Sequence, residues 1–165
     1  MDQDLAGFYE TFALASFTVL GLWLVVAEVM RGRQRLTVDW RLGHAISLQL
    51  AVLGAISLLA QIDIEDGSVW RVAFAGGGAL AAVLVYGRAV RGRTNPLSVP
   101  GLTGWALVAV DVAVALVAFV PNQTLADAGS SLSTLELEAV LLSGLILLAV
   151  NLGVWLIFEP EAAAD

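Results

Sequence analysis

Five long apolar runs decide most of what this chain can fold into. They cover residues 8–30, 42–62, 69–90, 102–120 and 135–158, each at or above the ~18 residues that a membrane helix needs. Lipid offers no partners to backbone N–H and C=O groups, so each run must satisfy its own, and a helix does that. Strands of a membrane barrel would alternate polar and apolar residues over ~10-residue stretches, and no such alternation is present. The reading is an all-α integral membrane protein: a bundle of five transmembrane helices with short loops, forming a single transmembrane domain over residues 1–165.

Composition agrees. Hydrophobic residues make up 59% of the 165 and charged ones 14%, with a mean hydropathy of +0.86, against ~25% charge in a soluble domain. The five runs and the short connections between them use nearly the whole length, which leaves no room for a separate soluble catalytic domain.

Orientation follows from the arginines. Seven of the eight basic residues fall at Arg31, Arg33, Arg35, Arg41, Arg88, Arg91 and Arg93, beside two of the breaks, and only Arg71 falls on the other side. The positive-inside rule puts those two breaks in the cytoplasm, the N-terminus outside and the C-terminus inside. Trp40 and Trp105 then sit at the inner interface and Trp70 at the outer one. The acidic start Met1-Asp-Gln-Asp4 differs from the basic start of a cleaved signal peptide, so the first helix is expected to be retained. Abundant Ala, Val, Gly and Arg with no Lys point to a prokaryotic, GC-rich source and a plasma-membrane location.

Several chemistries are excluded. With no Cys there is no disulfide and no thiolate metal site, and with no Lys there is no Schiff base. His44 is the only histidine and cannot by itself supply two axial haem ligands. A net charge of −7 argues against a nucleic-acid partner. Metalloprotease, hydrolase and phosphate-loop motifs are missing. No enzyme activity, no metal and no cofactor are expected.

Three constellations remain. An ionisable residue inside a span is expensive and so a functional candidate; Asp111, in the fourth run, is the clearest. Counting depth at ~1.5 Å per residue puts Gln49 and Asn151 at the same level. That polar layer would either hold a proton or dehydrated cation, or tie helices together structurally. Nearer the cytoplasmic face, Glu28, His44 and Tyr86 form a possible pH-sensitive inner group; the plain alternative is side chains snorkelling to water. On the first helix, Glu10 and Glu28 are 18 residues apart, five turns at 3.6 residues per turn, and Leu14, Phe17 and Gly21 lie near the same line. In a ring of subunits that face would set two carboxylate rings around an apolar constriction. The plain alternative is a helix ending in water at both ends. The outer surface is expected to be acidic, with Asp2, Asp4, Glu10, Asp63, Glu65, Asp66, Asp127, Glu136 and Glu138 opposed by Arg71 alone.

The small residues Ala75-Gly-Gly-Gly-Ala79 mark the third helix as closely packed, because they let helix backbones approach in lipid. The expected function is a small homo-oligomeric channel for inorganic cations or protons in the lipid bilayer, its pore lined by the first helix. The alternative is a non-conducting accessory or scaffold subunit of a larger membrane complex.

Overall fold

The computed structural model describes residues 2–32, 40–62, 68–91 and 98–158. Arg33, Arg35 and Arg93, and the carboxylates Asp63, Glu65 and Asp66, lie outside them. The described residues form six α-helices: α1 (Asp2–Gly32), α2 (Trp40–Ala60), α3 (Ser68–Val85), α4 (Val99–Val117), α5 (Asn122–Asp127) and α6 (Thr134–Phe158). A five-residue π-helix, Tyr86–Val90, continues α3. All helices but α5 are long and apolar enough to cross a membrane. Among the described residues there is no strand.

Helix boundaries follow local chemistry. α1 starts ahead of its apolar run, with Asp4 in its first turn, near the positive end of the helix dipole. Ser98 caps α4, its hydroxyl accepting from the Gly101 amide at 3.3 Å, with Pro100 in the first turn. α6 opens on a reciprocal capping box: Ser133 N–H donates to Glu136 Oε2 at 2.7 Å, and the Glu136 N–H donates to Ser133 Oγ at 3.3 Å. The stretch before it, read from sequence as a break, contains α5, which buries none of its residues. Asn122 at the start of α5 accepts from both the amide and the hydroxyl of Thr134, which ties the short helix to the start of α6.

α2, α3, α4 and α6 close a four-helix ring, each packed on the next and α6 returning to α2. α1 lies outside the ring, chiefly along α2 with a smaller contact to α6. The glycines of α3 act on two neighbours at once. A Cβ at Gly77 would run into Ile56 of α2, and one at Gly78 would come within 2.7 Å of the Asp111 carbonyl and 2.9 Å of the Ala115 amide of α4. Between helices in lipid, where no hydrophobic drive operates, such close approach supplies the packing. Trp23 fastens α1: its ring lies against Gly43 of α2 and Gly153 of α6, and its Nε1 donates to Ser47 Oγ at 3.1 Å.

The two ends of the bundle differ in charge. Asp4, Glu10, Arg71, Asp127 and Glu136 lie toward the end where α1 begins, here the carboxylate end. Glu28, Arg41, His44, Arg88 and Arg91 lie toward the opposite, arginine end. Trp70, near the start of α3, is buried, edge-on to Phe74, with the Arg71 guanidinium over its ring at 5.3 Å. Trp105 is about half exposed.

Candidate functional site

Of the polar layer expected from depth, the structure joins two members. Gln49 of α2 donates from Nε2 to Asp111 Oδ1 of α4 at 2.8 Å, across the inside of the ring, and both side chains are buried. Asp111 Oδ2 and Gln49 Oε1 have no hydrogen-bond partner. Gly78 lets α3 sit directly against the α4 backbone at this residue, so Asp111 is held from both sides. Asn151 does not join them. It is exposed on the outer surface of α6, while its neighbour Leu152 points into the core. Depth along a helix follows from residue count, but the direction a side chain faces does not.

A second buried carboxyl was not foreseen. Glu138 of α6, expected on the acidic outer surface, is 0% exposed, and neither of its carboxyl oxygens has a hydrogen-bond partner. Beside it Tyr9 of α1 is 1% exposed and donates its hydroxyl to the Leu135 carbonyl at 2.8 Å. Tyr9 also meets Phe74 edge-on, so α1, α3 and α6 converge here. Glu136, by contrast, stays at the surface, where it also caps α6. One signal could have found Glu138. It opens the stripe Glu138, Leu142, Leu145, Ala149, Leu152 and Leu156, spaced by four and three, all of it buried. In a helix apolar all round, however, several such stripes can be drawn, and nothing in the pattern chooses between them.

The proposed face of α1 is turned away from the ring. Glu10, Gly21 and Glu28 are exposed, Leu14 is 70% exposed, and a Cβ at Gly21 would meet nothing. Phe17 departs from the pattern: part of its ring lies over Gly54 of α2, leaving 40% exposed. On that face Leu14 is the bulky group left projecting.

At the arginine end, Glu28 and His44 are both exposed, on α1 and α2. Tyr86 packs its ring against Trp105 of α4 at 5.8 Å. Among the described residues no three His, Cys, Asp or Glu side chains are grouped to hold a metal ion. No known protein family, curated protein or solved structure matches this chain.

Proposed function

We propose that this chain is a small homo-oligomeric membrane channel for cations or protons, passive and without catalytic chemistry. It would lie in a prokaryotic plasma membrane with the N-terminus outside and the C-terminus inside, α1 facing the symmetry axis. One observation carries the reading: Glu10, Leu14 and Gly21, on one line of α1, face away from the other described helices, with Glu28 exposed farther along it. Two carboxylates ~27 Å apart along a helix sit poorly at the edge of a lipid-facing surface and well around an aqueous path. The interior of the ring is filled by Leu50, Leu53, Leu107, Leu142 and Leu145, all at most 1% exposed. A path between copies is therefore favoured over one through a single copy.

Mass measurement in mild detergent should give an oligomer, and liposomes holding the purified chain should pass cations or protons. Gly21→Leu should block the flux without unfolding the subunit, because the added side chain enters open space. A clean monomer with no flux overturns the channel. Single cysteines at Ser68 and Ser98, at opposite ends of the bundle, should label from opposite sides of the membrane. If both label from outside, the topology fails.

The rival reading, a non-conducting accessory or scaffold subunit, is favoured by the Gln49–Asp111 bond, which uses both residues to join helices. A partner that co-purifies with a chain lacking flux would support it. Flux through Asp111→Asn that is unchanged across pH removes Asp111 from any pathway.

A further inference from the structure

The arginine end holds a groove of about 490 Å³ lined by Arg41, Gly87, Arg88 and Arg91. That volume falls within the ~300–1,000 Å³ typical of small-ligand sites. Arg41 comes from the first turn of α2, whereas Arg88 lies in the π-helix and Arg91 directly follows it. Two elements remote in sequence therefore bring three arginines to one concavity. Among the described residues no carboxylate lines it.

The backbone here is unusual in a way that serves the groove. The Arg91 N–H donates to the Tyr86 carbonyl at 2.8 Å, a five-residue step that widens the last turn of this element. Such single π turns are rare and concentrate at functional sites. Gly87 lies within this turn, and a Cβ there would meet nothing, so the widened turn opens onto free space. The preceding residue, Tyr86, pairs edge-on with Trp105, the two being 44% and 46% exposed. Half-exposed aromatic rings of this kind settle at the headgroup level of a bilayer, which puts the groove at the height of lipid phosphates.

A planar, multiply donating guanidinium suits phosphate oxygens. We propose that this groove binds a phosphate group, supplied by the headgroup of an anionic phospholipid. The site is independent of the channel reading.

Native mass spectrometry of the full chain, titrated with phosphatidylglycerol or phosphatidylcholine, tests it. Phosphatidylglycerol should bind saturably and phosphatidylcholine much less. The double variant Arg88→Gln/Arg91→Gln should weaken the first by roughly tenfold or more, the order expected for two basic residues beside an anionic headgroup. Gly87→Leu should weaken it as well, because it fills the groove while keeping every charge. Displacement of phosphatidylglycerol by low-millimolar inorganic phosphate would support the phosphate site but make its ligand a soluble one; no displacement assigns it to lipid. Parent-like binding by Gly87→Leu alongside loss in the arginine variant would mean diffuse attraction to anionic lipid, and would overturn the proposal. So would equal binding of both lipids by all three proteins.

Discussion

Two buried carboxylates sit on adjacent helices in opposite circumstances. Asp111 on α4 is bonded to Gln49 and pressed by the α3 backbone at Gly78. Glu138 on α6 is as deeply buried, yet neither of its oxygens is bonded, and the hydroxyl of neighbouring Tyr9 is committed to the Leu135 carbonyl. Burying a polar group is unfavourable unless a hydrogen bond offsets it. Packing and hydrogen bonding therefore account for a carboxylate at 111. At 138 they favour an apolar side chain. One of the two groups is a joint between helices; the other makes no hydrogen bond to the packed residues around it.

The largest test of that contrast addresses the surroundings of Asp111. Gly78→Ala should destabilise the bundle by ~2–3 kcal/mol, because its Cβ meets backbone atoms of α4 that cannot rotate away. Gly76→Ala, whose Cβ meets nothing, should be neutral or slightly favourable. Unfolding in detergent measures both. A tolerated Gly78→Ala would mean that Asp111 is held no more firmly than Glu138.

Next in size are matched substitutions of the carboxylates themselves. Asp111→Leu should lose ~1–2 kcal/mol by stranding the Gln49 amide, while Asp111→Asn, which keeps a bonding partner, should change little. Glu138→Leu should be neutral or gain ~1 kcal/mol, since no bond is broken. Opposite signs sustain the contrast. Equal losses from the two leucine variants would break it.

The smallest effect belongs to Tyr9→Phe, expected to lose ~0.5–1.5 kcal/mol with the bond to Leu135. In a Glu138→Leu background the loss should be the same, because the hydroxyl does not serve the carboxyl. A much smaller loss in that background would reveal a coupling between Tyr9 and Glu138 that the hydrogen-bond pattern lacks.

How much of this was legible in the residues differs from element to element. The apolar runs placed the five long helices to within a few residues, except at the start of α1, and Ala75-Gly-Gly-Gly-Ala79 marked α3 as the closely packed one. The capping box Ser133-Thr-Leu-Glu136 was visible in the text of the chain, yet its Glu was read as surface charge alone. Gln49 and Asp111 were matched by depth alone, and the same method misplaced Asn151. The π turn had no sequence signal, as no residue type demands it.

Length and hydropathy act along the chain, and they are decisive for any chain that enters lipid: an unpaired backbone is so unfavourable there that an apolar run of sufficient length has to become a helix. The sequence by itself therefore determined the number, extent and class of the long elements. Rotation about each helix axis is different. When a helix is apolar on every side, no face prefers lipid over protein, and the choice falls to which side chains interlock with which neighbour. That choice turned Glu138 and Trp70 inward and Asn151 outward, laid Phe17 on Gly54, and turned Leu14 and Gly21 of α1 away from the other described helices. Only the assembled helices could decide it, because the contacts that set each rotation join residues far apart in the chain.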